Sequence, residues 1–276
     1  MIPKRASLED SVYRIAESGA VEIRDVDGGA KPFVYSSGNR GPGYLQIKGL
    51  VGQPETLTFL VAQLAYVVAE KAKFDFINGN ATGGMIPGWQ LRNFVSELMG
   101  KEVPFTYLRE SRKEGGRGEL ITGIENNPLI KRGMSALIVE ELVNFAETTC
   151  NAAKLFREED FPVSHAACIF TYGHQSSSQR LKERDIELVA LLTLPQFLDI
   201  AEANKLLPNT AIKSYREFLA NPVVWQLDRG FVIPEDSAKR AEQMGHKMKR
   251  LTTEEAIELG APTEKVKSFT YYAKET

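Results

Sequence analysis

The chain has 276 residues and a formal net charge of −2 at pH 7, with 43% hydrophobic and 25% charged residues. That is the composition of an ordinary globular protein, long enough for one large domain or one domain with a substantial extension. The balanced charge gives no global case for nucleic acid or an anionic membrane as partner, no apolar run approaches the roughly 18 residues that span a bilayer, and the histidines (His165, His174 and His246) are too widely spaced for a zinc site.

Residues 7–18 carry apolar side chains at helical spacing (Leu8, Val12, Ile15, Ala16) and stop at Gly19. Short strands with a turn at Asp27-Gly28-Gly29 are expected over 21–35, followed by a glycine-rich segment to Gly43. Thr56 to Lys71 reads as a helix. Phe74 to Asn78 reads as a short core strand, broken by Gly79-Asn-Ala-Thr-Gly-Gly84. Trp89 to Met99 is a second helix, and Val103 to Leu108 a second core strand. Residues 109–120 are charged and glycine-rich and read as a mobile loop or loose hairpin. A third core strand, Ala136 to Glu141, ends in two adjacent carboxylates, Glu140 and Glu141, and a helix follows from about Ala146 to Glu159. The fourth and fifth strands are 165–172 and Ile186 to Leu192.

Strands alternating with helices predict an α/β fold, a mainly parallel five-stranded sheet flanked by helices. In such sheets ligands bind at the carboxyl ends of the strands. Segments 79–84, 109–118 and 140–148 each follow a predicted strand, so they converge on one edge. From Pro195 onward the pattern is helical, over 195–206, 210–219, 236–249 and 253–260, and the tail from Lys265 to Thr276 reads as a terminal strand or an oligomer arm. The expected division is 1–194, including a small N-terminal hood, and a helical C-terminal extension over 195–276.

Several residues admit two readings. Glu140 and Glu141 alone are a strand end meeting solvent, but between a core strand and a helix they suit a ribose or metal site. Glycine-rich turns like 79–84 also serve dinucleotide folds and methyltransferases, or simply turn a corner. Tyr44 is either a half-buried strand aromatic or a stacking surface. Trp89 and Trp225 read as packing residues. Cys150 follows two threonines near a helix start, which can lower a thiol pKa, yet a structural role is expected for it. With only Cys150 and Cys168 there is no disulfide framework, and the N-terminal residues lack the apolar core of a signal peptide, so a cytoplasmic location is expected.

In their order and spacing these motifs resemble orotate phosphoribosyltransferase, a type I phosphoribosyltransferase, from about Phe33 to Leu192. Ser37-Gly-Asn-Arg-Gly-Pro-Gly-Tyr44 is similar to the family's early segment, whose aromatic stacks on the base; Gly79–Gly84 is similar to the loop that wraps the diphosphate. Arg109 and Lys113 match the spacing of the basic pair in the family's catalytic loop, and Val139-Glu-Glu-Leu-Val resembles its Val-Asp-Asp-Val-Ile. The resemblance implies phosphoribosyl pyrophosphate and a nucleobase such as orotate as partners, in pyrimidine nucleotide synthesis. It implies catalytic roles for Lys113, Glu140 and Glu141, and donor contacts from Thr82, Gly83, Gly84, Arg109, Asn144, Ala146 and Thr148 as well. Base contacts fall to Tyr44 and His174. Mg²⁺ would ride on the diphosphate with no metal held directly by protein, and the assembly would be a homodimer.

Departures from the family pattern cluster in the phosphate loop. A Thr-Thr-Gly-Gly-Ser-like run is replaced by Asn144-Phe-Ala-Glu-Thr148, without the glycines that fold backbone around phosphate. Glu147 would repel a phosphate dianion unless it points away. A slipped alignment on Thr148-Thr-Cys-Asn151 restores hydroxyls but needs a longer loop. Glu110 stands for a usual Lys, Gly115 for a usual His, and Gly83 for a frequent Lys. The alternative is therefore a non-catalytic relative, a pseudoenzyme that binds a nucleotide as a regulatory or scaffolding subunit; a third option is an enzyme whose donor lacks the 5′-phosphate.

Overall fold

The computed structural model describes residues 1–109, 120–125 and 127–275. They form two compact units: Met1–Ala20 with Gln46–Ile200, and Val21–Leu45 with Ala201–Thr276.

The first unit is built on one six-stranded sheet, in the order Glu187–Thr193, His165–Thr171, Ala136–Val143, Phe76–Asn80, Phe105–Leu108, Ile121–Thr122. The first five strands are parallel, and Ile121–Thr122 pairs antiparallel with Phe105–Leu108. Ala136 to Glu140 are all buried, as a central parallel strand covered on both faces requires. On one face Phe76, Ile138 and Cys168 meet Phe156 of the helix Glu147–Glu158 and Phe161 beyond it. Phe76 packs edge-on to Phe161, with ring centroids 5.5 Å apart. Truncating a ring such as Phe156 in this core costs about 3–5 kcal/mol. The alternate residues Ile77, Leu137, Val139 and Ala167 are also buried, and the helices Pro54–Lys71 and Met85–Met99 pack on these strands. A reciprocal capping box between Ser7 and Asp10 starts the first helix, Leu8–Ser18.

All five expected strands are present, and the sheet is six-stranded because Ile121–Thr122 adds an edge. Two residues are too few to show a period. The second helix begins at Met85, four residues before Trp89, since Pro87 falls in its first turn, where no backbone donor is needed. Trp89 is exposed rather than packed in the core. The helix Gln175–Lys182 has no counterpart in the expectation: its Ser-Ser-Ser run favours caps and turns, and it buries only Ser177 and Leu181.

In the second unit Tyr271–Lys274 lies between Ile233–Pro234 and Met248–Arg250 in an antiparallel sheet. The tail is thus a strand, and Met248–Arg250 pairs with it instead of ending the predicted 236–249 helix, which stops at Gln243. Helices Asn209–Ala220, Pro222–Asp228, Glu235–Gln243 and Thr253–Glu258 surround it in sequence. Trp225 is buried and its Nε1 donates to Ser214 Oγ at 3.1 Å. The unit also holds Val21–Ile23 paired with Gly43–Leu45. The compact units therefore differ from the expected 1–194 and 195–276 division, because Val21–Leu45 groups with the C-terminal residues. Among the described residues no helix is long and apolar enough to cross a membrane.

Candidate active site

Parallel pairing sets the ends of neighbouring strands side by side: Gly79 is opposite Val139, and Glu140 opposite Cys168. Asn80, the last residue of its strand, donates from Nδ2 to Glu140 Oε1 at 2.7 Å. Thr148, in the first turn of the helix Glu147–Glu158, donates from Oγ1 to the same oxygen at 3.0 Å. Behind Asn80 the polar chain continues inward. Asn78 Nδ2 donates to Asn80 Oδ1 at 3.4 Å, and Thr106 Oγ1 donates to Asn78 Oδ1 at 3.1 Å. Glu140 is only 6% exposed. Burial, aided by the charge of Glu141, pushes its carboxyl up to about 7, against the pull of the Asn80 and Thr148 hydrogen bonds.

Glu141 points to the other side of the strand and lies over the 79–84 loop. A Cβ built on Gly83 would fall 1.9–2.0 Å from its three carboxylate atoms, and one on Gly84 would fall 2.1 Å from the Val139 carbonyl oxygen. The loop thus approaches strand and carboxylate as closely as glycine allows. Burial raises the Glu141 pKa, and the charge of Lys48 acts in the opposite sense. Lys48 Nζ donates to Thr82 Oγ1 at 2.5 Å.

The neighbouring loop is built differently. The strand ends at Val143 and the helix starts at Glu147, so the connection is Asn144–Ala146 and Thr148–Asn151 are already helical. The slipped register, which needed those residues in a longer loop, does not hold. Ala146 is buried in the left-handed conformation at φ 60° and ψ 20°. Phe145 stacks on His174 at 5.1 Å and 9°, and His174 stacks on Tyr172 at 5.4 Å and 7°. Burial lowers the His174 pKa. Glu147 is directed to Arg180, with 2.7 Å between Oε1 and Nη1. Asn144 is exposed.

No family model matches the chain. Over 198 residues it is 29% identical to an orotate phosphoribosyltransferase of Listeria innocua, covering 71% of this chain and 88% of that one. A solved orotate phosphoribosyltransferase from Aeropyrum pernix superposes with a TM-score of 0.54 at 23% identity, over 71% of this chain and 99% of that one. The UMP synthase of Leishmania donovani gives a TM-score of 0.60 at 20% identity; the match takes in 78% of this chain, which spans only 42% of that protein. The fold is that of a type I phosphoribosyltransferase. The resemblance drawn from the motifs holds, and the acidic pair and the 79–84 loop lie at the strand ends of a phosphoribosyltransferase sheet.

The remaining expected residues of this phosphoribosyltransferase fold fall in several places. Arg109 donates its backbone N–H to the Leu120 carbonyl at 3.0 Å, and Lys113 lies outside the described residues. Tyr44 belongs to the second unit, where it is half-exposed and its ring lies 5.5 Å from that of Phe33. Burial raises the Cys150 thiol, as a structural cysteine requires. Sequence reasoning missed Asn80, Lys48, Phe145 and Tyr172. Asn80 had one usable signal, a polar residue at the junction of an apolar run and a glycine turn. Lys48 and Phe145 meet their partners only through tertiary structure, while Tyr172 stacks on a residue two positions away. Among the described residues no group of three His, Cys, Asp or Glu side chains is placed to hold a metal ion.

Proposed function

We propose that the chain is an enzyme of the orotate phosphoribosyltransferase type, transferring a phosphoribosyl group from phosphoribosyl pyrophosphate to a nucleobase such as orotate. One observation carries this reading: a buried carboxyl, Glu140, held by donors from two other segments at the strand ends, beside a second carboxylate laid on a glycine loop. The name of the Listeria innocua relative supports the choice of base.

In this reading the ribose hydroxyls of the donor hydrogen-bond to Glu140 and Glu141, and the diphosphate lies on the 79–84 loop. The bond from the anomeric carbon to the diphosphate oxygen breaks, and its electron pair leaves with the diphosphate. The carboxylates offset the positive charge that develops on the ribose. A ring nitrogen of the base supplies the pair for the new carbon–nitrogen bond, so the work of the protein is mostly positioning. Arg109 and Lys113 keep the diphosphate-neutralising role that the resemblance gives them. Oxygen donors of Thr82 and Glu141 suit a hard cation; magnesium carried on the diphosphate would neutralise part of its charge. A homodimer and a cytoplasmic location complete the proposal.

The alternative, a non-catalytic nucleotide-binding relative, draws on the Phe145–His174–Tyr172 stack beside the phosphate-loop position. Incubation with phosphoribosyl pyrophosphate, Mg²⁺ and orotate separates the two. The enzyme reading predicts orotate loss matched by diphosphate release, reduced about 100-fold in Glu140→Ala, the cost of a charge-assisted contact. Donor binding without turnover on any nucleobase would select the non-catalytic relative.

A further inference from the structure

The diphosphate-type loop Gly79–Gly84 contains no cationic side chain of its own. Position 83 cannot supply one while Glu141 keeps its place, because any Cβ there meets the Glu141 carboxylate at 1.9–2.0 Å. A polyanion on this loop would face a carboxylate with nothing from the loop to balance it. Lys48 supplies what the loop lacks. It lies on the turn Ile47–Gly52, anchored by the fully buried Ile47 and Leu50 and packed against the strand Ala136–Val143. The backbone is thereby fixed while the lysine side chain stays exposed. Its Nζ reaches Thr82 Oγ1 at 2.5 Å, in the middle of the loop, and its charge acts on Glu141.

We propose that Lys48 is the loop's cation: it leaves Thr82 to contact the diphosphate of the donor and offsets the charge of Glu141 beside it. The inference rests on the proposed function and adds a binding residue to it, supplied from outside the loop in place of a side chain at 83. An ammonium on a flexible stem suits this task, because it swings from a hydroxyl to a phosphate oxygen without moving the backbone.

The test compares the unaltered chain with Lys48→Ala, Lys48→Gln, Lys48→Arg and Thr82→Val, by calorimetry with phosphoribosyl pyrophosphate and with inorganic pyrophosphate, both with Mg²⁺. Lys48→Ala and Lys48→Gln are expected to weaken both ligands at least about tenfold, the scale of one charge-assisted contact. Lys48→Arg should stay within about threefold, because the charge is kept. Thr82→Val should lose less than Lys48→Ala, since it removes the resting partner and not the charge. In turnover, Lys48→Ala should raise KM for phosphoribosyl pyrophosphate and leave KM for orotate unchanged, with an unaltered thermal midpoint because the side chain is exposed. Unchanged affinity in folded Lys48→Ala and Lys48→Gln would overturn the inference while leaving the proposed function standing. Equal losses in Thr82→Val and Lys48→Ala would overturn the charge role. If the unaltered chain binds neither ligand, the proposed function fails and the inference falls with it.

Discussion

The loops after two adjacent strands, Phe76–Asn80 and Ala136–Val143, sit at the same edge of the sheet and are built on opposite plans. The first, Ala81–Gly84, starts two residues later than the glycine turn expected from sequence because Gly79 and Asn80 belong to the strand, and it is shaped by close approach: Gly84 presses on the Val139 carbonyl, Gly83 takes the Glu141 carboxylate, and Thr82 accepts from Lys48, while Asn80 at the strand end donates to Glu140. The second, Asn144–Ala146, has no glycine. Its turn is made by a left-handed alanine, a ring stack and an ion pair at the helix start. Backbone that must approach an anion needs bare peptide N–H groups and little side chain. In the first loop the glycines leave the backbone bare of side chains, whereas in the second Phe145 stacks on His174 and Glu147 pairs with Arg180. Under the proposed function, the donor is held more strongly at its ribose and diphosphate than at its 5′-phosphate.

The largest expected effect breaks the first loop. Gly84→Ala drives a Cβ into a backbone carbonyl that cannot move aside, and should cost about 3 kcal/mol of stability by urea denaturation. Gly83→Ala meets only the far end of Glu141 and should cost less than about 1 kcal/mol. Equal costs would mean that the loop is not held by its contact with the strand.

Next comes the pH dependence of Glu140. Its folded pKa of about 7 stands above its ordinary 4.5, so folding favours the protonated form. That contribution is full below 4.5 and is lost as pH rises through about 7. Glu140→Gln keeps a neutral side chain at every pH. At pH 8 it should be more stable than the unaltered chain by about 3 kcal/mol, a difference that vanishes towards pH 4. A constant difference across this range would contradict the buried, titrating carboxyl.

Smaller effects sharpen the second loop. Asn144→Thr, Ala146→Gly and Glu147→Gly together should tighten phosphoribosyl pyrophosphate about tenfold, by freeing the backbone to turn its N–H groups onto phosphate and by removing a carboxylate; no gain would mean the loop is not what limits the donor. Phe145→Ala should cost about 1 kcal/mol through the lost stack. It should also let the His174 pKa rise back towards its ordinary value as the ring is uncovered, followed by NMR titration.

The same contrast decides what could be read from the sequence. The parallel sheet was legible because buried parallel strands are near-continuous apolar runs, as in Ala136–Val139. The first loop was legible through its glycines and the acidic pair, since close approach and charge leave residue types behind. Lys48 was not, because its role comes from a turn packed against a strand far away in sequence. Phe145 carries no spacing signal, as it meets His174 only when Val143 and Thr171 pair. Ile121–Thr122 was too short, the Gln175–Lys182 helix too polar, and the grouping of Val21–Leu45 with the C-terminal residues has no local signature.

The measurement that tests the central claim most directly is calorimetric binding of phosphoribosyl pyrophosphate with Mg²⁺, with Glu141→Ala as control. A working ribose and diphosphate seat predicts micromolar binding that is lost in the variant. No binding at millimolar ligand, or equal binding by both proteins, would contradict it.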